Sequence, residues 1–289
     1  MKFMTYNIQF GRGLDGVYDL DRIAHAVESA DVIALQEVER FFPRSGNVDQ
    51  VRELAKRLKH HHWVYGAGVD ISADNILPDG EVINRRQQFG NMLLARSPII
   101  TSRNHLLPKF ASVGPLSIQR SALEGVIECN GHRVRVYSVH LTHISAEVRL
   151  QQIERLLDVD QNAVREGGPI AGRSANTDFA GQADVSTLPR ESILMGDFNF
   201  TPDSAEYSRI VGIKSDYGGR VINPEGFVDA WKVAGNSEMS GTTAERRGKD
   251  VRMDYCFVRY SLSDRIKSVK IHSKEVGSDH KPVSMIIEF

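Results

Sequence analysis

Residues 193–202 read ILMGDFNFTP. Ile193 to Met195 are apolar enough for a buried strand, yet the run ends on Gly196, Asp197 and Asn199, with Phe198 between the two polar residues. Residues two apart in an extended chain share a face, so Asp197 and Asn199 are expected side by side at the strand tip while Phe198 turns back into the core. Gly196 would let the backbone pass close to a ligand. Thr201-Pro202 has the cap-then-proline order that starts a helix. A strand that delivers a carboxylate and an amide at its end, just before a helix, is typical of α/β folds, whose ligand crevices open at strand ends.

The same placement recurs along the chain. Asn7 follows FMTY, Glu37 follows VIALQ, Asn91 opens MLLA and His140 follows VRVYSV. Asp254 lies within RMDYCFV, and Asp279-His280 precede KPVSMII. Between these strands run helical stripes, at Leu20, Ile23, Ala24 and Val27 and at Val51, Leu54, Ala55 and Leu58, each spaced i, i+3, i+4, i+7. The Asn130-Gly131 pair between two apolar-rich runs predicts a hairpin. Ser145 is expected to cap a helix through Ile153, Leu156 and Leu157, and a short helix is expected near 227–234. Two polar, Gly-containing stretches, 66–88 and 166–191, read as long surface loops, a place where function often resides.

The 289 residues allow one large domain or two ordinary ones. With 41% apolar and 25% charged residues, the chain can bury a sizeable core. A formal net charge of −1 supplies no global field toward nucleic acid or membrane. Cys129 and Cys256 lie in strand-like runs, so buried thiols are expected, and no C-x-x-C spacing argues for zinc. The first residues, MKFMTYNIQF, lack an apolar signal core, and no run is long enough to span a bilayer. The expectation is a cytoplasmic protein without a membrane span.

Glu37 and Asp279 are hard oxygen donors. Carboxylates joined by an amide suit Mg²⁺, which prefers oxygen and keeps several waters. A histidine oriented by a carboxylate is suited to proton transfer near neutral pH. Metal ligands, carboxylates, amides and histidines together point to hydrolysis of a phosphate ester.

Taken jointly, the motifs TYNI (5–8), LQEV (35–38), GNMLLAR (90–96), SVHLTH (138–143), MGDFN (195–199), RMDYCFV (252–258) and GSDHKPV (277–283) resemble those of the endonuclease/exonuclease/phosphatase superfamily, in order and over nearly the whole length. The resemblance implies a single domain over 1–289 and a four-layer α/β sandwich of the DNase I-like kind, two packed mixed sheets flanked by helices. It also implies roles. Glu37, with Asn7 and Asp279, would hold one or two Mg²⁺ or Mn²⁺ ions. Asp197 would orient or deprotonate the attacking water, and Asn199 would donate to the phosphate. His280, held by Asp254, would work on the phosphate side with His140 opposite, the assignment of base and acid left open. Asn91 and Arg120 would bind the substrate phosphate. His143 reads as structural or solvent-facing, and His60 to His62 as a solvated helix end. Arg246, Arg247 and Lys249 either grip an anionic substrate or form a charged loop.

Gln9 two residues after the first Asn, LQEV rather than LQET, and the presence of His140 depart from the abasic-site endonucleases. They favour the branch containing DNase I, sphingomyelinases and phosphoinositide phosphatases. The expected activity is a divalent-metal-dependent phosphodiesterase or phosphatase acting on a small or lipid-derived phosphodiester, with no obligate protein partner. A nuclease acting on DNA or RNA is the alternative, and a non-catalytic binding module ranks below both.

Overall fold

The computed structural model describes residues 1–171 and 187–289. In chain order its elements are β1 Lys2–Asn7, α1 Leu20–Val27, β2 Val32–Arg40, α2 Gln50–Arg57, β3 His62–Ser72, β4 Asn75–Ile76, β5 Val82–Ile83, β6 Arg86–Ala95, β7 Ile99–Leu106, β8 Ser121–Cys129, β9 His132–His140, α3 Ala146–Glu166, β10 Ser192–Asp197, α4 Ala205–Val211, β11 Phe227–Asp229, α5 Ala230–Val233, β12 Ala244–Arg246, β13 Lys249–Val251, β14 Asp254–Arg259, β15 Ile266–Ile271 and β16 Val283–Ile287.

Two six-stranded sheets carry the fold, ordered β15-β16-β1-β2-β6-β3 and β11-β14-β10-β9-β8-β7. Their facing sides form a core that includes Phe3, Ala34, Leu93, Val136, Met195, Cys256 and Met285. The outer face of the first sheet packs Met4, Ile33 and Leu94 against Ile23, Val27 and Leu54 of α1 and α2. The outer face of the second packs Tyr137, Leu194 and Phe257 against Ile153, Leu156 and Tyr207 of α3 and α4. Strands buried on both faces read as continuous apolar runs, as ILM does. The result is the four-layer α/β sandwich with mixed sheets expected from the sequence. Cys129 and Cys256 are both free and buried.

The structure differs from the sequence reading in several places. The stretch 66–88 is largely a strand pair, not a loop: β3 and β6 pair from His62↔Ala95 out to Ser72↔Arg86, and the small β4–β5 hairpin closes the tip. The outer half of β3 is solvated on both faces, so it shows no apolar alternation. Residues 172–186 of the expected 166–191 excursion lie outside the described residues. Thr201-Pro202 opens a turn, and α4 begins only after Ser204, whose hydroxyl accepts the Tyr207 N–H. Ser145 does occupy the N-cap of α3 but makes no side-chain cap bond. The expected helix at 227–234 is divided between β11 and α5. His61 is buried, with Nε2 2.9 Å from the Ala30 carbonyl. β7 was not anticipated; its half-exposed sequence IITSRNHL has a polar centre.

Candidate active site

Topology brings the conspicuous polar residues to one edge. β9 and β10 run parallel with His140 opposite Asp197, and β14 runs antiparallel to β10 with Asp254 opposite Asp197. Three adjacent strands therefore present His140, Asp197 and Asp254 in one row. In the facing sheet β1 ends at Asn7, and antiparallel β16 starts beside it, with Thr5↔Val283. The segment before β16 thus carries Asp279 and His280 to the same edge.

Glu37 arrives by a different device. The β2–β6 pairing shifts between Leu35↔Met92 and Val38↔Gly90, so Gln36 and Glu37 both stand opposite Asn91. Such a bulge re-aims a side chain, and Glu37 adopts a left-handed φ of +62° within it. Gln36 donates to Ser138 Oγ (2.9 Å), and Ser138 Oγ donates to the Leu35 carbonyl (3.0 Å). Asn91 Nδ2 donates to the carbonyls of Ser121 (2.8 Å) and Ser138 (3.0 Å). These buried bonds tie the sheets together beneath the site. Asn91 spends its amide hydrogens there, so its geometry is that of a brace between sheets and not of a phosphate donor.

Asp197 is the hub. Asn7 Nδ2 donates to Oδ2 at 3.0 Å, the Asn199 backbone N–H to Oδ1 at 2.9 Å, and Asn199 Nδ2 to Oδ2 at 3.1 Å. His140 Nε2 lies 3.3 Å and His280 Nε2 3.8 Å from Oδ2. The strand ends at Asp197, and Asn199 has φ +55°. The two therefore meet through a local side-chain-to-backbone turn and not through the alternation of an extended chain. Asn199 Nδ2 also bonds the Leu141 carbonyl at 3.1 Å, so the amide braces Asp197 and does not reach outward to the phosphate. Phe198 between them is fully buried, edge-on to Phe257 with centroids 4.9 Å apart. Gly196 approaches the neighbouring strand and not a ligand: a Cβ there would stand 1.9 Å from the Val139 carbonyl oxygen.

The two histidines have opposite proton states. Burial first, then the Arg120 guanidinium, lower His140 to about 4. Arg120 Nη1 lies 2.9 Å from both ring nitrogens. A neutral ring that accepts from Arg120 at Nδ1 and donates Nε2–H to Asp197 satisfies both neighbours. His280 is the reverse case. Burial would lower it, but Asp254 and Asp197 outweigh burial and raise it well above the ordinary range. Its Nδ1 is 2.8 Å from Asp254 Oδ2. Burial raises Asp254 as well, with His280 pulling the other way, so the proton belongs to the pair. Burial also pushes Asp197 up, yet His280 and the bond from His140 hold it well below the carboxylate range.

The expected metal ligands are placed unevenly. Glu37 lies 3.3 Å from Asn7 Nδ2 and 3.9 Å from His140 Nε2. Burial raises its proton affinity, offset in part by Arg120 and His280, which leaves a desolvated carboxylate short of positive partners. Asn7 turns its nitrogen, not its oxygen, to the carboxylates, and its Oδ1 accepts the Gln9 N–H at 3.1 Å. Asp279 is exposed and accepts from Gln9 Nε2 (3.0 Å), with Ser278 Oγ 3.2 Å from its Oδ1. The tight acidic and histidine group is instead Asp197, Asp254 and His280, whose ligating atoms lie within 4.8 Å of one another. A protonated imidazole offers only donors, so a metal bound by this group would have to displace the proton that Asp254 and Asp197 favour on His280. Ser278, whose Oγ donates to the Asn7 carbonyl at 2.7 Å, and His143, whose Nδ1 faces Arg120 at 3.2 Å, complete the surroundings. The Ser in GSDH could have been read as a brace from its place beside Asp279. A hollow of about 990 Å³ between α3 and α4 contains none of these residues.

The sequence profile of the endonuclease/exonuclease/phosphatase family matches residues 4–280. The chain belongs to that family. The family hydrolyses phosphoesters, and its profile spans every residue of the site. Solved structures show the same fold. An endonuclease/exonuclease/phosphatase from Beutenbergia cavernae DSM 12333 is 22% identical, with 99% of this chain and 70% of that chain covered and a TM-score of 0.64. A family protein from Leptotrichia buccalis C-1013-b is 20% identical over all of both chains (TM-score 0.64). A mannosyl-6-phosphatase from Bacteroides thetaiotaomicron VPI-5482 is 17% identical over all of both chains (TM-score 0.65). No curated protein matches the chain. Among the described residues, no helix is long and apolar enough to cross a membrane.

Proposed function

We propose that this family member is a divalent-metal-dependent hydrolase that cleaves a small or lipid-derived phosphodiester. The observation that carries the reading is the registered row His140, Asp197, Asp254, with a neutral histidine at one end and a protonated Asp254–His280 pair at the other. Titratable groups pushed apart in this way divide acid from base work.

The donor set fits a hard cation. Glu37 is an under-partnered, desolvated carboxylate, and Asp279 adds a second oxygen donor at the same edge. Glu37, with Asp279, would hold Mg²⁺ or Mn²⁺, which when bound supplies Lewis-acid polarisation of a phosphoryl oxygen. Asn7, whose amide nitrogen faces Glu37 and Asp197, positions those carboxylates. The remaining work falls to the chain itself. Asp197, fixed by Asn7, Asn199 and His140, accepts the proton of an attacking water. His280, kept protonated by Asp254, faces the phosphoryl oxygens and stabilises their charge. Arg120 keeps His140 neutral, so that His140 donates to Asp197.

The test is hydrolysis of bis-p-nitrophenyl phosphate with Mg²⁺ or Mn²⁺ against the same assay in EDTA, followed by glycerophosphodiesters, sphingomyelin and plasmid DNA. Metal-stimulated turnover on the small esters is expected. No turnover on any of them defeats the reading. A preference for DNA with a steep fall in rate as salt rises replaces it with a nuclease.

A further inference from the structure

The β12–β13 hairpin is anchored to the site. Ala244 bridges His280, the Lys281 N–H donates to the Thr243 carbonyl at 2.7 Å, and Thr243 Oγ1 accepts the N–H groups of Met253 (3.0 Å) and Asp254 (3.2 Å). Its pairs are Ala244↔Val251, Glu245↔Asp250 and Arg246↔Lys249. Alternation puts Arg246 and Lys249 on the face of buried Ala244, toward the site, and Glu245 and Asp250 on the other. Arg246 leans over the site rim: Nη1 reaches the Asn199 carbonyl and Nη2 the His143 carbonyl, each at 3.4 Å. Those two long bonds leave most of its donor fork unengaged. Arg120 meets the same His143 from within.

Two like charges directly opposite on paired strands are unfavourable. Among the described residues neither Arg246 nor Lys249 has a carboxylate partner, and the hairpin's own acids face away. A planar fork beside a point-charge ammonium matches a doubly charged group with three oxygens. We propose that Arg246 and Lys249 form a second anion subsite and that the substrate is a small phosphoester bearing a second phosphate, whose non-scissile phosphate sits against this hairpin. The assignment rests on the phosphoesterase reading for the scissile group, but the subsite can be tested without turnover.

Calorimetric titration in Mg²⁺ compares straight-chain diphosphonates of graded length with the monophosphonate of each length. One diphosphonate is expected to bind at least about tenfold more tightly, the scale of one charge-assisted contact. Arg246→Gln with Lys249→Gln should abolish that advantage, Lys249→Gln alone should reduce it, and Glu245→Gln with Asp250→Asn should preserve it. Equal binding at every length, or an advantage that survives the Arg246/Lys249 pair of changes, overturns the subsite. A short oligodeoxynucleotide captured more tightly than every diphosphonate overturns the small-substrate assignment. Bis-p-nitrophenyl phosphate hydrolysis run in parallel separates the two questions: its absence sinks the phosphoesterase reading, and the phosphonate titration still judges the subsite.

Discussion

Gly196→Ala should pry apart the two strands that hold His140 and Asp197. The added Cβ would stand 1.9 Å from the Val139 carbonyl oxygen, 2.8 Å from its carbon and 2.9 Å from its nitrogen, all backbone. Real Cβ contacts do not fall below 3.0 Å, so β9 and β10 must separate locally by roughly 1 Å, a displacement of the size that costs about a hundredfold in rate when it misplaces a reacting group. Val139 and Gly196 are register partners, and the next pair along is His140 and Asp197. The displacement therefore passes straight to the 3.3 Å contact between His140 Nε2 and Asp197 Oδ2 and carries it out of hydrogen-bond reach. Because the clash is with rigid backbone, the upper end of the overpacking cost applies, about 3 kcal/mol. At an unfolding entropy of about 2.1 cal/mol/K per residue, that cost is a fall of roughly 5 °C in melting temperature for a chain of this size. Thermal melting and metal-dependent hydrolysis of bis-p-nitrophenyl phosphate read the two effects separately. Gly114→Ala is the control, since nothing lies within 4 Å of its Cβ position. A Gly196→Ala protein that melts and turns over like wild type would refute the argument. One that melts early but keeps its turnover number would show that the His140–Asp197 spacing is not used in the chemistry.

Other perturbations follow from the same geometry. Burial already raises the proton affinity of Glu37, so metal-free Glu37→Gln should melt at or above the wild-type temperature. Mg²⁺ at a hundredfold over its Kd should stabilise wild type by about 2.7 kcal/mol and leave Glu37→Gln unmoved; a wild type indifferent to Mg²⁺ and Mn²⁺ would remove Glu37 as a ligand. Asp197→Asn should keep the fold, checked by melting, and lower the hydrolysis rate by about 10²–10⁴-fold; full activity would displace Asp197 from its proposed role. His140 titrates near 4 in the native protein against an ordinary 6.5, so the unfolded chain takes up its proton first as pH falls. Native stability should drop from about pH 6.5 toward pH 4, by about 3 kcal/mol in total, and level off below. The difference between wild type and His140→Gln isolates that loss from the coupled Asp254–His280 pair, and a flat difference across the window would contradict it.

The elements and the α/β class were largely legible because burial leaves a periodic trace, whereas the four-layer arrangement was implied by the family resemblance of the motifs. The doubly buried strands read as apolar runs, and α1 and α2 as stripes with buried Ile23, Val27, Val51 and Leu54. Where burial is weak the trace fades. β7 exposes alternate residues around a polar centre, and outer β3 is solvated, so neither stood out. The residue types of the site were legible at strand ends, but several of their partners were not. Asn91 and Asn199 have the amides of phosphate donors, and both are committed to carbonyls or to Asp197. Sequence carries no record of which acceptor an amide will meet.

What the sequence least conveys is where the backbone leaves its ordinary conformations. Gln9, Phe10, Glu37, Phe41, Asn47 and Asn199 all have left-handed φ without being glycine, at roughly 1–3 kcal/mol each when the conformation is strained. Glu37 and Asn199 are in the site, and Gln9 holds both Asn7 and Asp279. Relaxing Glu37 to ordinary strand geometry would remove the bulge and return Gln36 and Glu37 to strict alternation. A one-residue change in pairing exchanges the two faces of a strand, and the carboxylate would leave the edge where Asn7 and His140 meet it. The apolar core fixes the strands up to Asp197 and Leu35, and the strain beyond those points sets the positions of Glu37 and Asn199. Deleting Glu37 would leave Gln36 alone opposite Asn91 in regular register and empty the site of its carboxylate, which should show as loss of the Mg²⁺-dependent rise in melting temperature.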